Sequence, residues 1–424
     1  MKNLLLFLSM ILFATAQYSK QNAAIIYWKA SALTTSEVWE QNDNSSSFAK
    51  LTEEGKLDNL FKQNSQVVVE VIKASKLSYC RFILPCEYEE GPNILLPHLG
   101  KMMGLCRFVV LSGRHYALKK QWQQAAECYI AAMRFSSHLG QDPFLITSLV
   151  SYATIGMSLS AIRKTIINKD FPNALREKIK GTLKQVSSQM HLGQAFNSEA
   201  KIFIEPFRKQ LQKNDISTTW DIIKQHFGQD SLFKKKPQQV FSTKKDREEL
   251  ALLLKAKPSF FTSKQSFAKY ILQAFDLYTA HAYQMTNICK SSYKSGMTNY
   301  LKLQKEVEKS HFFVNFLSPM KTYETQLRAY ANVNMTILLL ELLSYNNSYN
   351  KFPTSLDDLN QQIEFYSLQD FTYTKIANGF HLEIVIPITN RKFIYKVSKE
   401  RNSFSWDFIK YLEEKIEEQE KSKG

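Results

Sequence analysis

Apolar residues recur every three or four positions along most of this chain, which is the spacing that lines one face of an α-helix. The pattern is clearest over residues 51–76, 144–167 and 320–345. Glycine and proline, which destabilise the interior of a helix, number only 13 and 11 among the 424 residues. The pattern therefore predicts a mainly α protein in which consecutive helices form an irregular α-hairpin array.

The clearest α-hairpin is predicted over residues 105–143, where two helical segments meet at a polar corner near Lys119 to Gln121. Small residues stand where the two helices must approach closely, and aromatic residues stand beside them. The small positions are Gly113, Ala125 and Ala132, and the aromatic positions are Tyr116, Trp122 and Tyr129. Such a mixture is typical of two antiparallel helices that pack small side chains against large ones.

Near the C-terminus the apolar period changes to two residues, which is the period of a β-strand. The alternating segments cover 371–374, 380–386, 392–397 and 403–406. Asn378 and Gly379 stand between the first two segments, and both residue types tolerate the positive φ angles of a tight hairpin turn. We therefore expect a small antiparallel β-meander after the helices.

Changes in pattern and composition divide the chain into six predicted regions. They are a signal peptide at 1–16, an N-terminal helical hairpin domain at 17–228, a basic linker with a short helix at 229–263, a helical region at 264–345, a small antiparallel sheet module at 346–410 and a charged tail at 411–424. The boundaries follow proline-containing or polar stretches between periodic segments.

The first region has the organisation of a secretory signal peptide, with Lys2, an apolar run over 4–13 and the small residues Ala14 and Ala16. This organisation predicts cleavage after Ala16 and export to the periplasm or the extracellular space. A retained membrane anchor is the alternative, but the apolar run is too short to cross ~30 Å of hydrocarbon. No other stretch is expected to span a membrane after cleavage.

The formal net charge of the chain is +16, and a positive field of this size could favour anionic partners such as cell-wall polymers, acidic lipid or nucleic acid. Solvated surface lysines scattered along the chain are the alternative. One local cluster of lysines lies in the predicted linker. It comprises Lys234, Lys235, Lys236, Lys244 and Lys245. This cluster could contact an anionic polymer, or it could form a solvated connection. It lacks the regular aromatic residues of a base-stacking surface, so nucleic acid is not an expected partner.

The best candidate site in the sequence is the loop at 77–101, in which helix-breaking residues interrupt the pattern. These residues are Pro85, Gly91, Pro92 and Pro97. The loop carries an acidic group, Glu87, Glu89 and Glu90, and it leads to His98. Loops often carry functional residues, and carboxylates with a histidine are suited to acid–base chemistry. A structural plug over the helix ends would use the same residues.

The chain contains five cysteines. They are Cys80, Cys86, Cys106, Cys128 and Cys289. In an oxidising compartment, Cys80 and Cys86 could form a disulfide that closes a short loop. Burial as small apolar side chains is the alternative, above all for Cys106 and Cys128 in the hairpin. Neither cysteine nor histidine has the spacing of a zinc site, and the sequence predicts no metal, cofactor or catalytic residue.

The tripeptide His-Leu-Gly recurs along the chain. Copies occupy 98–100, 138–140 and 191–193, and a near copy, His-Phe-Gly, occupies 226–228. Glycine often closes a helix, and a histidine near a helix C-terminus interacts favourably with the helix dipole. We therefore predict that the last three copies mark helix ends, whereas His98 precedes a helix.

Ahead of the hairpin stand Cys80, the run CEYEEGP at 86–92 and the run LLPHL at 95–99. Together with the hairpin, they resemble an uncharacterised family of exported helical bacterial proteins. That resemblance implies a helical architecture and no particular activity. The hairpin at 105–143 itself resembles a degenerate tetratricopeptide unit, although Val109 stands in the place of the leading tryptophan. The matching positions are Gly113, Tyr116, Ala125, Tyr129 and Ala132.

In the last quarter of the chain, a long helix leads to the run NKFPTSLDDL at 350–359 and then to the predicted sheet. This arrangement, over residues 320–400, resembles the body of type II secretion pseudopilins. The resemblance implies a helix followed by a small sheet, and a role as an accessory component of a secretion or pilus-like assembly. A pseudopilin, however, begins with its hydrophobic helix, whereas this module is C-terminal.

The sequence contains no G-x-S-x-G, HExxH, P-loop or dinucleotide fingerprint. Helical hairpins bury a continuous core and present extended surfaces to partners. The leading hypothesis is therefore a non-enzymatic exported interaction or scaffold protein of the cell envelope, with protein partners. One alternative is an envelope hydrolase that uses Glu87, Glu89 and Glu90 together with His98 or His115. Another is the accessory component of a secretion assembly.

Overall fold

The computed structural model of the chain describes most of the residues between 22 and 398. The described residues are 22–41, 57–83, 94, 96–190, 192–213, 216–226, 232, 235–254, 256–308, 320–359, 363, 365–376, 379–388 and 391–398. The predicted signal peptide at 1–16, the predicted strand at 403–406 and the charged tail at 411–424 lie outside them.

Helices occupy most of the described chain, and a small antiparallel sheet follows them, which confirms the predicted mainly α fold class. The α-helices are α1 Ala23–Leu33, α2 Ser36–Gln41, α3 Leu57–Gln63, α4 Ser65–Ser75, α5 His98–Leu118, α6 Trp122–Leu139, α7 Leu145–Ile166, α8 Asn173–Ser187, α9 Leu192–Glu199, α10 Glu205–Gln212, α11 Ser217–His226, α12 Pro237–Ser242, α13 Lys244–Leu253, α14 Lys264–Lys290, α15 Tyr293–Glu308 and α16 Met320–Tyr349. A π-helical turn, Ala200–Ile204, joins α9 to α10, and 3-10 turns cover Pro258–Phe261, Leu356–Leu359 and Leu368–Asp370.

One hydrophobic cluster runs through the described structure, from Ala23 in α1 to Ile386 in the sheet. Helix α6 lies at the centre of its N-terminal part, where it contacts α4, α5, α7 and α8. The long helix α16 contacts α7 and α8, and it also contacts the second strand. The N-terminal helices and the C-terminal sheet are therefore connected through α16.

The predicted hairpin is formed by α5 and α6, which the corner at 119–121 connects. Lys120 has a φ of 57°, the left-handed conformation with which many helices end. The amide N–H of Lys120 donates to the Ala117 carbonyl at 3.0 Å, and that of Gln121 donates to the Tyr116 carbonyl at 2.9 Å. These bonds satisfy carbonyl groups that the end of α5 would otherwise leave open, so the corner closes sharply at the predicted position.

Close packing of α5 on α6 depends on Gly113, as the sequence predicts. A Cβ atom at this position would lie 2.5 Å from Cε1 of Tyr129 in α6. The Tyr129 ring is fully buried, and its hydroxyl hydrogen-bonds with Oγ1 of Thr165 in α7 at 2.8 Å. Ala125 and Ala132 are also fully buried on α6. The predicted combination of small and large side chains is therefore confirmed.

Helix α7 is the one helix among the described residues that is long and apolar enough to cross a membrane. The sequence interpretation expected no such stretch. In the structure, α7 contacts α5, α6, α9 and α16, and 61% of its most apolar window is buried. Its apolar length therefore serves helix packing in this fold.

The segment at 229–263, predicted as a basic linker, is folded over its described part. It contains α12, α13 and the 3-10 turn Pro258–Phe261, and both α12 and this turn contact α14. Phe261 is fully buried, and the Lys235 ammonium group lies 2.8 Å from both carboxylate oxygens of Asp246. The described part of this segment is therefore helical and packs on α14, and its Lys235–Asp246 ion pair lies within the segment itself.

The His-Leu-Gly copies differ in role, and the predicted helix ends are only partly confirmed. Helix α6 ends at Leu139 as predicted, but Gly140 keeps a right-handed φ of −78°. Helix α11 ends at His226, and the rest of that copy lies outside the described residues. Gly193 instead lies in the first turn of α9, where a Cβ atom would be 2.9 Å from the backbone oxygen of Thr286. Glycine at this position permits the close approach of α9 and α14.

The C-terminal sheet is the predicted antiparallel meander. Its strands, in the order β1-β2-β3, are β1 Phe371–Ile376, β2 Gly379–Ile388 and β3 Arg391–Ser398. The buried side chains of β2 alternate and are Phe380, Leu382, Ile384 and Ile386. Ile376 pairs with Gly379, so Gly379 belongs to β2 and the connection covers 377–378. Gly379 is therefore a strand residue and not the turn residue that the sequence predicted, and Asn378 lies outside the described residues.

Candidate functional site

The structure describes only part of the predicted site loop. Glu87, Glu89 and Glu90 lie outside the described residues, and so does Cys86. At the start of the loop, the Cys80 side chain is fully buried and has no disulfide partner among the described residues. The roles of the three glutamates and the Cys80–Cys86 disulfide therefore stay predictions.

His98 begins α5 and is only 2% exposed. Its ring stacks on the ring of Phe82, with 4.8 Å between the centroids and 4° between the planes. Its Nε2 atom lies 3.8 Å from Oδ2 of Asp142, which is longer than a hydrogen bond. Burial lowers the pKa of His98 to about 4, so the imidazole is neutral at pH 7. This geometry gives His98 a packing role at the end of the loop.

Polar contacts hold the beginning of the loop against the corner between α6 and α7. The side-chain oxygen of Gln141 accepts a hydrogen bond from the Cys80 amide at 2.8 Å. The Asp142 carboxylate is buried; it accepts a hydrogen bond from the Phe82 amide at 3.3 Å and lies 3.9 Å from Nη1 of Arg81. The described ends of the loop are thus attached to the helices, as a structural plug would require.

A buried hydrogen-bonded chain lies beside this corner. Nε2 of His138 lies 2.9 Å from the Leu77 carbonyl, and Nδ1 lies 2.9 Å from the Tyr27 hydroxyl. Because a carbonyl only accepts, Nε2 carries the proton and Nδ1 accepts from Tyr27. Burial lowers the pKa of His138 to about 4, and it raises the pKa values of Tyr27 and Cys80. Tyr27 and His138 therefore stay neutral at pH 7 and connect α1 and α6 to Leu77, the second residue after α4.

His115, the other histidine considered for a hydrolase, lies at the opposite end of α5. The 17 positions from 98 to 115 correspond to about 25 Å along a helix. Nε2 of His115 lies 3.4 Å from Oδ1 of Asp58, and burial lowers the pKa of this histidine. His98 and His115 therefore belong to different parts of the molecule and do not form one catalytic site.

An open groove of about 400 Å³ runs over α6 between α4 and α8, and we call it the three-helix groove. Its lining includes the buried small residues Ala126 and Ala131 and the half-buried apolar residues Ile72 and Ile130. Gly181 of α8 is exposed at its side, and a Cβ atom there would meet nothing within 4 Å. Small residues under an open groove permit another chain to approach the helices closely.

Basic side chains predominate in the three-helix groove. Lys76 follows α4, Arg134 lies on α6 and Lys178 lies on α8, whereas Glu127 is the one acidic residue among the described residues of the lining. The Glu127 carboxylate accepts a hydrogen bond from the Gln123 amide at 2.7 Å. Three positive charges against one negative charge leave the groove with a net positive charge, so it is complementary to an acidic ligand.

The predicted basic cluster is only partly available to a ligand. Lys235 is paired with Asp246, and the hydrogen bond from Lys235 lowers the pKa of that carboxyl group. Lys244 lies 3.8 Å from a carboxylate oxygen of Glu248. Lys236 and Lys245 are exposed, and Lys234 lies outside the described residues. Contact between this cluster and an anionic polymer stays a prediction.

The sequence interpretation did not identify the three-helix groove. Ala126, Ile130 and Arg134 recur every four positions on α6, so their common face could have been recognised. The neighbours of that face could not, because α4 and α8 lie far from each other in sequence. The groove is thus a product of tertiary packing.

Among the described residues, no group of three or more histidine, cysteine or acidic side chains could hold a metal ion. No protein-family model matches the chain, and no curated protein or solved structure matches it either. The fold and the groove define the class of protein as a mainly α protein with a small antiparallel sheet and an open, basic helical groove.

Proposed function

We propose that this protein is a non-enzymatic interaction or scaffold protein of the cell envelope, and that it binds an acidic segment of a partner protein in the three-helix groove. The observation that carries the proposal is the groove on α6, with its small and apolar lining and its basic sides. An open groove of this kind suits a partner segment better than a reaction that must exclude water.

The composition of the groove specifies the kind of segment that would fit. Ile72 and Ile130 offer apolar contact, which favours leucine-like side chains on one face of the partner. Lys76, Arg134 and Lys178 favour carboxylates on its other positions. An amphipathic acidic helix carries both features at its natural spacing. Its affinity should fall as the salt concentration rises, because the charged contacts are exposed to solvent.

Crosslinking in cells tests whether the groove contacts a partner. A photoreactive amino acid replaces Gln185, which lines the groove on α8. We expect one discrete crosslinked species, and we expect Gly181→Trp to abolish it because the indole fills the groove without displacing any atom within 4 Å of the new Cβ. Gly100→Trp is the matched control, since Gly100 is also an exposed helical glycine with nothing near its Cβ position.

A charge reversal separates binding from simple proximity. Lys178→Glu lies in the groove and should weaken the crosslink, whereas Lys164→Glu on α7 makes the same charge change outside it. A crosslink that survives Gly181→Trp, or that both charge reversals weaken equally, would contradict the proposal.

A further inference from the structure

A second cavity lies where the corner between α14 and α15 meets α16 and the segment before β1. Its volume is about 620 Å³, which falls within the ~300–1,000 Å³ typical of small-molecule sites. Aromatic side chains form much of its wall, and we call it the aromatic pocket. They are Tyr293, Tyr330, Phe365 and Tyr366. The proposed scaffold function makes no use of this pocket.

Phe365 has an unusual backbone conformation at the wall of the aromatic pocket. Its φ is 71°, a region that bulky residues rarely occupy. The amide of Tyr293 donates a hydrogen bond to the Phe365 carbonyl at 2.9 Å. The Phe365 ring stacks on Tyr330, with 4.6 Å between the centroids and 10° between the planes. Strained residues that the surrounding structure holds in place are frequent at ligand sites, and this ring remains partly exposed.

The polar residues of the aromatic pocket give it a net positive charge. Lys290 and Lys294 are exposed at the pocket, and the Lys294 ammonium lies 3.9 Å from Oδ1 of Asp370. The other Asp370 oxygen accepts hydrogen bonds from the amide and the hydroxyl of Ser367, at 2.8 and 2.9 Å. Burial, with a further contribution from Asp370, raises the pKa of Tyr293 to about 12, so this phenol stays neutral. The described lining therefore carries two lysines and one carboxylate, and that carboxylate already has partners.

We infer that the aromatic pocket binds a small organic acid built on a ring, with the ring against Phe365 and the carboxylate between Lys290 and Lys294. Charge-assisted hydrogen bonds from lysine fix the acid group, and the aromatic wall supplies the apolar contact. This site shares no residue with the three-helix groove, so either proposal can fail without the other. An acidic sugar and an aromatic carboxylate offer the same chemistry, and the experiment separates them.

Calorimetry on the purified full chain tests the inference with glucuronic acid and 4-hydroxybenzoate as probes. Glucose and 4-hydroxybenzyl alcohol are their neutral counterparts. We expect one of the two acids to bind, and its neutral counterpart to bind at least about tenfold more weakly, since charged hydrogen bonds are lost. Absence of binding by both acids at millimolar concentration would overturn the inference, and so would equal affinity for an acid and its neutral counterpart.

Variants locate the site. The double substitution Lys290→Gln and Lys294→Gln should weaken binding about tenfold, whereas Lys305→Gln, elsewhere on α15, should leave it unchanged. Phe365→Gly removes the ring and permits the positive φ, so binding should be lost although the backbone is no longer strained. Phe365→Leu keeps an apolar side chain and is the substitute variant if Phe365→Gly fails to fold. It should also weaken binding. Unchanged affinity in the lysine and Phe365 variants would place the ligand elsewhere.

Discussion

Replacement of Gly113 by alanine tests the close contact on which the α5–α6 hairpin depends. The new methyl group would lie 2.5 Å from Cε1 and 2.8 Å from Cδ1 of Tyr129, far inside the ~3.5–4.0 Å of an ordinary carbon contact. The Tyr129 ring has little freedom to move, because it is fully buried and its hydroxyl is bonded to Thr165. The helices must therefore separate, or the ring must leave its position.

The expected cost follows from two opposing effects. Overpacking of a buried site costs ~1–3 kcal/mol, and the immobile ring places this site in the upper part of that range. Alanine recovers about 1 kcal/mol because it is a better helix former than glycine. We expect Gly113→Ala to lower the free energy of unfolding by about 1–2 kcal/mol.

Gly181→Ala is the matched control for this prediction. Gly181 also lies inside a helix, but a Cβ atom there would meet nothing within 4 Å. Only the helix-propensity effect applies, so Gly181→Ala should raise the free energy of unfolding by about 0.5–1 kcal/mol. Urea unfolding followed by circular dichroism measures both variants, and the shift of the midpoint at constant slope reports the change in stability.

A double-mutant cycle with Tyr129→Leu shows whether the ring causes the loss. In the Tyr129→Leu background, Gly113→Ala should cost less than in the natural chain, because the aromatic carbons that it would contact are gone. Equal stabilisation by Gly113→Ala and Gly181→Ala would refute the reasoning, as would the absence of coupling between positions 113 and 129.

Other predictions concern protonation and a second close contact. Burial raises the pKa of Glu199 to about 7 from 4.5, although its carboxylate accepts a hydrogen bond from the Leu145 amide. The folded chain holds a proton there that the unfolded chain releases, so the free energy of unfolding falls as pH rises from about 4.5 to 7. Glu199→Gln should remove this part of the pH dependence of the urea midpoint. The pKa values of His98 and His138 are lowered to about 4 from 6.5, so their contribution to stability is lost as pH falls from about 6.5 to 4. Their ring NMR signals should not titrate above pH 5, and a titration near pH 6.5 would contradict their burial. Gly193→Ala would place a methyl group 2.9 Å from a backbone oxygen of α14 and should destabilise the fold by about 2 kcal/mol, whereas a higher urea midpoint would show that α9 and α14 do not approach closely.

Features with local causes could be predicted from the sequence. The corner after α5 follows from a break in the helical pattern, and Gly113 can be recognised because its partner helix is the next one in the chain. The meander follows from the period-two pattern of β2. Gly379 was assigned to the turn and not to β2, because glycine is acceptable both within a turn and at the start of a strand, and only the pairing with Ile376 distinguishes the two.

Features with distant causes could not be predicted. The lysines at 234–236 suggested an exposed linker, but α12 and the turn Pro258–Phe261 pack on α14, and Phe261 is buried. The neutral state of His98 depends on its burial, to which the stacked ring of Phe82 contributes. The three-helix groove exists only because α4 and α8 both pack on α6. The spacing of residues along the chain does not indicate which helices or side chains become neighbours in the folded structure.

The most direct test of the proposed function is a binding measurement on the purified chain. The probe is a fluorescent amphipathic helical peptide with leucine on one face and glutamate on the other, and the same peptide with lysine in place of glutamate is the control. The proposal predicts that the glutamate peptide binds, that salt weakens it, and that Gly181→Trp but not Gly100→Trp lowers its affinity at least about tenfold. Equal affinity for the two tryptophan variants, or a preference for the lysine peptide, would contradict an acidic partner in the three-helix groove.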